Sequence, residues 1–205
     1  MQVNAQAAAL APSLIAARGS RTLQEVALVL IGTAVLVASA KIFVPFYPIP
    51  MTLQTLAVMA IAAAYGTRLG TLTVLAYLAE GLVGLPVFTW TPPAIAGPAY
   101  FLGPTGGFLA GFVLLAIIVG YAADRGWDRS VVRLLAAMLA ADVVVFALGF
   151  AWFAWFAHLS KGGIGAGVDI AWAKGIAPFV LGDLLKIVLA SLLIPAVWGL
   201  VGRKG

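Results

Sequence analysis

A chain of 205 residues that is 63% hydrophobic and only 9% charged departs far from a soluble domain, which is about 45–50% apolar and about 25% charged. It reads as an integral membrane protein. The net charge of +5 does not mark a nucleic-acid binder, because the basic residues sit at the ends of apolar segments, where topology signals belong.

With no cysteine and a single histidine, His158, disulfides and thiolate or clustered-histidine metal sites are excluded, and no cofactor is implied. The stretch Met1–Thr22 is Ala-rich and contains Pro12. It lacks the basic start and clean apolar run of a secretory signal, so it reads as a retained cytoplasmic tail. Residues 23–205 read as one transmembrane domain.

About 20 apolar residues span a bilayer, and six segments approach that length. The first, Leu23–Ala40, carries Ala34 and Ala38 four apart, a small-residue face that lets helices pack closely. The connection after it, KIFVPFYPIP at Lys41–Pro50, has three prolines, which limit helix and favour a stiff extended path. So apolar a loop is expected to fold back over the helices as a lid.

The second and third segments, Met51–Tyr65 and Gly70–Leu85, are short and joined only by Gly66-Thr67-Arg68-Leu69. They form a tight helical hairpin. Glu80 lies near the far end of the third. The uncharged connection Pro86–Pro104 carries Phe88, Trp90, Tyr100 and Phe101. These rings suit either a planar ligand or an aromatic belt at the membrane interface.

Gly103-Pro104-Thr105-Gly106-Gly107 opens the fourth segment, Thr105–Ala123. A helix start offers free N–H donors and a positive dipole end, and proline suits its first turn. Close helix packing, with Gly107 and Gly111 four apart, explains the glycines equally well. The fifth segment, Val131–Ala157, contains Asp142 and is long enough to hide a break near Gly149. The Gly-rich stretch His158–Gly175 reads as a mobile connection. The sixth segment, Ile176–Val201, is apolar except for Asp183 and Lys186.

With the N-terminus inside, Arg18, Arg21, Arg68, Arg125, Arg129, Arg133, Arg203 and Lys204 face the cytoplasm, and only Lys41, Lys161 and Lys174 lie outside. This asymmetry predicts six helices with both termini cytoplasmic. Asp183 then lies about 10 Å and Lys186 about 15 Å from the outer end of the sixth helix.

Charge at bilayer depth persists where it faces protein, water or ligand. Three apart, the two side chains share a face. Lys186 offers a cation to an anionic ligand, and Asp183 an acceptor to N–H donors. The alternatives are that the two neutralise each other, or that Lys186 pairs with Asp142. Glu80 and Asp142 suit helix-to-helix hydrogen bonds better than ligand contacts. There is no G-x-x-x-x-G-K-[ST] nucleotide loop and no Ser/His/Asp set, so neither ATPase nor hydrolytic activity is expected. Energy for uphill uptake would come from a partner or an ion gradient.

PIPMTLQTLAV (Pro48–Val58), LGTLTVLAYLAEGLVGLPVF (Leu69–Phe88), GPAYFLGPTGGFLAGF (Gly97–Phe112) and GDLLK (Gly182–Lys186) together resemble the BioY family. These are substrate-binding S components of energy-coupling-factor (ECF) biotin transporters. The resemblance covers about residues 23–201.

It implies an all-α, six-helix S-component fold that binds biotin near the outer face of a prokaryotic cell membrane. It also implies a transmembrane coupling protein (T component) and ATPase subunits (A components) as partners. The family's Asp and Lys fall on Asp183 and Lys186, and the face with Ala34 and Ala38 resembles the docking surface. The expected substrate-binding set is Asp183, Lys186, Tyr100, Thr105, Gly106, Phe88 and Glu80. Some members place an arginine and an asparagine before the fourth helix, but Pro86–Phe112 contains neither. Two other readings are an ion- or proton-coupled secondary transporter, with Glu80, Asp142 and Asp183 as relay carboxylates, and a structural subunit.

Overall fold

The computed structural model describes Leu10 and residues 20–91, 96–161 and 164–201. The N-terminal tail lies outside the described residues apart from Leu10 and its last three positions, as do Arg203 and Lys204 at the other end.

Helix α1, Arg21–Lys41, buries Leu28, Gly32, Leu36, Ser39 and Ala40 on one face. Leu23, Leu30, Ile31 and Val35 lie exposed on the other, an arrangement suited to lipid. Two short strands frame the proline-rich connection, β1 (Phe43–Val44) and β2 (Met51–Thr52). They pair antiparallel, with Phe43 opposite Thr52 and Val44 opposite Met51. The loop between them turns Ile49 inward, where it is buried.

Helix α2 spans Gln54–Leu82, but Gly66 breaks it at φ 77°, a conformation that favours glycine. The chain reverses there. Gln54 Nε2 donates to Tyr77 Oη at 2.7 Å although the two are 23 residues apart. An unbroken helix would separate them by about 35 Å. Gly70 packs directly on the backbone of Ala62. The second and third segments are therefore the two limbs of this hairpin, and the turn takes one residue rather than four. Thr67, opening the second limb, donates its N–H and its hydroxyl to Asp124 at 3.0 and 2.5 Å. The first limb is about 18 Å long at about 1.5 Å per residue, short of the roughly 30 Å hydrocarbon core.

The short helix α3 (Pro98–Phe101) precedes α4 (Gly106–Asp124). A 3-10 turn, Trp127–Arg129, leads into α5, Val131–Lys161. No break occurs near Gly149. The ring of Phe108 occupies the space a Cβ there would take, so this glycine serves packing. Nor is the described part of His158–Gly175 an open connection. Helix α5 runs on to Lys161, and α6 (Ile164–Ala171) follows with a π-helical turn at Trp172–Ile176. Gly167 lets α6 lie against Ala154 and His158. Gly167 and Gly175, two of the glycines that suggested mobility, pack against neighbouring residues instead.

Helix α7 closes the chain at Val180–Val201. Leu36, Met59, Tyr77, Leu115, Met138 and Ile187 meet in a common core. Among the described residues five helices are long and apolar enough to cross a membrane, with the reversed α2 among them. The protein is thus a multi-pass, all-α membrane protein. At one end Arg68 grips both carboxylate oxygens of Glu25 at 2.9 and 3.0 Å, tying α1 to the hairpin turn. The connections after α1 and α2 gather at the opposite end.

Candidate functional site

The first turns of α7 carry the charge. Lys186 Nζ donates to Asp183 Oδ1 at 2.6 Å, with the two residues only 7% and 6% exposed. Both line a narrow cavity of about 60 Å³ at the loop end of the bundle. Among the described residues, Asp183 and Lys186 are the only charged ones on its walls. Ile49 and Pro50 of the proline loop face it, as do Thr52, Gln54 and Thr55 from the start of α2. Phe108, Leu109 and Phe112 come from α4, Val145 and Phe146 from α5, and Phe179 precedes α7.

Phe88, Thr89, Tyr100 and Thr105 complete the wall, and backbone-directed bonds hold them in place. Lys41 Nζ, at the end of α1, donates to the carbonyls of Phe88 and Thr91 at 2.7 and 2.6 Å. Thr89 Oγ1 donates to Ala40 O at 3.0 Å, and Tyr100 Oη to Thr89 O at 3.1 Å. Phe88 stacks on Tyr100 with ring centroids 4.5 Å apart, and its edge meets Tyr77 at 5.4 Å. The glycine turn is fixed by Trp152 Nε1, which donates to Gly103 O at 2.8 Å. Burial pushes the Tyr100 phenol above its ordinary pKa, against a hydrogen bond with Thr105 that pulls it down. It therefore stays neutral, able to donate and to accept.

Five of the expected site residues meet here: Asp183, Lys186, Phe88, Tyr100 and Thr105. Glu80 and Gly106 are not on the wall. Glu80 is half-buried on the second limb of α2. Gly106 packs under Trp152 and against the carbonyl of Phe101, and Gly107 and Gly111 likewise meet α5, so these glycines serve helix packing. Trp90 packs on Phe43 and Tyr47 of the proline loop. Ala34 and Ala38 are exposed on α1. Asp142 is buried on α5 beside the charged pair without lining the cavity.

The reading by residue type passed over Gln54, Thr52 and Thr55. Their signal was three polar residues within TLQT at the mouth of an apolar helix. Phe108 and Phe112, four apart, looked like ordinary core. A second, outer cleft of about 420 Å³ lies between Tyr47, Trp90 and Phe156, and shares Pro50, Tyr100 and Thr105 with the inner cavity.

The arrangement holds one cation, one carboxylate and several neutral donors and acceptors inside aromatic walls. It suits a small planar ligand with polar edges and an anionic tail. Among the described residues no group of three potential metal-ligating side chains occurs.

The sequence model of the BioY family matches residues 8–203. This chain belongs to the BioY family. A biotin transporter BioY of Thermotoga maritima is 36% identical over 161 residues, 78% of this chain and 88% of that one. The probable biotin transporter BioY of Pyrococcus horikoshii is 31% identical over 170 residues, covering 83% of this chain and 93% of its own length. The BioY of Rhizobium etli, also a biotin transporter, is 36% identical over 155 residues, 72% and 77% of the two chains. Among solved structures, the S-component for biotin from an ECF-type ABC transporter superposes with a TM-score of 0.71. That match covers 92% of this chain and 96% of the other at 22% identity, which establishes the shared fold. In this BioY chain, the GPTGG and GDLLK segments supply Thr105, Asp183 and Lys186 to the cavity wall.

Proposed function

We propose that this chain captures biotin at the outer face of the cell membrane, as the S component of an ECF importer, and is a transport component rather than an enzyme. The observation that carries the reading is the buried Asp183–Lys186 pair in an aromatic cavity of a BioY-family fold. Lys186 binds the valerate carboxylate, a charge-assisted bond stronger than a neutral one. Asp183 accepts a ureido N–H. Phe88, Tyr100 and Phe179 enclose the bicyclic ring. Gln54, Thr55 and Tyr100 supply the neutral polar contacts, since the loop before α4 has neither arginine nor asparagine.

In this reading the chain crosses the membrane six times with both termini cytoplasmic. A T component and ATPase A components complete the transporter. The T component docks on the exposed face of α1 that carries Ala34 and Ala38, where small residues permit close helix approach.

The test is a biotin titration of the detergent-purified protein, read by tryptophan fluorescence. A saturable response at low concentration is expected for the wild type and a greatly weakened one for Lys186→Ala. Equal affinity in the two rejects the assignment.

A further inference from the structure

A third ionisable group lies beside the pair, and the binding scheme above does not use it. Asp142 is 6% exposed on the interior face of α5, alongside Met138, Ala141 and Val145. Its Oδ1 is buried with no hydrogen-bond partner among the described residues. Such an oxygen demands explanation, because a buried polar atom left unpaired bears its full desolvation cost. The charged groups that act on it are Asp183 and Lys186 of α7.

Other titratable groups on the elements packed around α5 sit at its two ends. Tyr121 and Asp124 close α4, and Asp128 and Arg129 lie in the 3-10 turn. Asp169 and Lys174 belong to α6 and the π turn at the opposite end. Asp142 is about 17 Å along α5 from its start at Val131, at about 1.5 Å per residue.

The charge balance decides what this group does. Empty, the pair is neutral: one carboxylate on one ammonium at 2.6 Å. An anionic ligand adds a second carboxylate to a buried site in which, among the described residues, Lys186 is the only cation on the wall. A further ionised Asp142 would make three carboxylates to one ammonium. Unpaired charge at this depth is costly, and a proton taken up on Asp142 keeps the net charge of the site unchanged as the ligand's carboxylate enters.

We propose that the anionic ligand binds together with one proton, and that Asp142 holds it. The proposal rests on biotin being the ligand. Asp183 is already engaged, by Lys186 at 2.6 Å and, in the scheme above, by a ligand N–H. Asp142 touches neither. As a carboxylic acid it leaves Lys186 to the ligand tail. Its position off the cavity wall lets it balance charge without occupying ligand space.

The test is biotin affinity between pH 6 and 9, with proton uptake counted by calorimetry in buffers of different ionisation enthalpy. In the wild type the Kd weakens as pH rises, approaching tenfold per pH unit once Asp142 ionises in the empty protein. About one proton is then taken up per biotin bound. Asp142→Asn, which fixes the neutral form, binds as the wild type does at low pH. It shows neither slope nor uptake. Biotinamide, lacking the anion, binds the wild type without proton uptake.

A wild-type Kd that is flat with pH and free of proton uptake overturns the proposal and leaves biotin binding intact. So does a slope that survives in Asp142→Asn, or uptake with biotinamide equal to that with biotin. No binding of biotin at any pH overturns the functional reading beneath it and this proposal with it. The wild-type proton count needs no variant, and Asp142→Ser replaces Asp142→Asn if the latter does not fold.

Discussion

Replacing Lys186 by Met, Asp183 by Asn, and both together separates what the pair does for stability from what it does for ligand. The side chains meet at 2.6 Å, and each is 9% exposed. Removing one partner of such a pair strands the other, at a cost of about 3–5 kcal/mol. For a chain of this size that lowers the melting temperature by roughly 6–20 °C, at about 2–4 °C per kcal/mol. The double variant removes both desolvation penalties and keeps similar volume, so most of the loss returns.

Affinity does not return with it. A hydrogen bond to a charged group contributes about 1.5–3 kcal/mol, so losing the ammonium weakens biotin binding about 10- to 150-fold. The assays are thermal unfolding in detergent and biotin titration, each on all four proteins. A double variant that melts like the wild type and binds biotin equally well refutes the assignment, since the pair would then be purely structural. A single Lys186→Met variant with wild-type melting refutes the energetic argument.

Gly81→Ala drives a methyl into the ring of Phe88, which is already wedged between Tyr77 and Tyr100. Overpacking of this kind costs about 1–3 kcal/mol. We expect lower melting temperature and weaker biotin binding, both partly rescued by adding Phe88→Leu. Asp124→Ala removes the cap on the second limb of α2 and lowers stability by about 1 kcal/mol without changing biotin affinity, as unfolding and titration would show.

Asp128 is buried, with Trp198 Nε1 donating to its Oδ2 at 2.5 Å. Burial pushes its carboxyl above the ordinary value, against that bond and the Arg129 charge. The folded state then holds this proton more tightly than the unfolded state does, so stability falls as pH rises from the ordinary carboxylate range through the folded value. Melting curves across that window should show the fall in the wild type and a smaller one in Asp128→Asn.

The helical frame was legible because it follows from apolar length and from where the arginines fall. The hairpin itself was readable, since a connection as short as Gly66-Thr67-Arg68-Leu69 leaves no other path, but that Gly66 alone makes the turn was not. The charged pair was legible for the opposite reason, as the exception within an apolar run. What escaped was tertiary. Gly107, Gly111 and Gly149 offered the same letter for a ligand cradle, a helix contact or a break. Only Trp152, Val145 and Phe108, brought from other helices, decide that all three serve packing. Glu80 looked like the other intramembrane charges but is not on the cavity wall, because a site depends on which side of a limb points inward. Gln54 was hidden because its partner, Tyr77, comes from the returning limb.

The same tertiary bonds explain how irregular chain can form a wall at the end of a membrane bundle. Non-helical backbone within protein is tolerated only where its polar groups find partners. Here side chains supply them: Lys41 to Phe88 and Thr91, Thr89 to Ala40, Tyr100 to Thr89, Trp152 to Gly103. Two of these four donors, Thr89 and Tyr100, themselves line the cavity, so for them satisfying a carbonyl and building the wall are one act. The charged groups instead sit on α7, adjacent on one helical face, where backbone geometry fixes their separation. Polar groups that must meet specific ligand atoms are best placed on rigid elements, whereas aromatic surface tolerates small displacements. Charge is thus confined to one helix, while the rings of the wall are shared between helices (Phe108, Phe112, Phe146) and the chain outside the long helices (Phe88, Tyr100, Phe179).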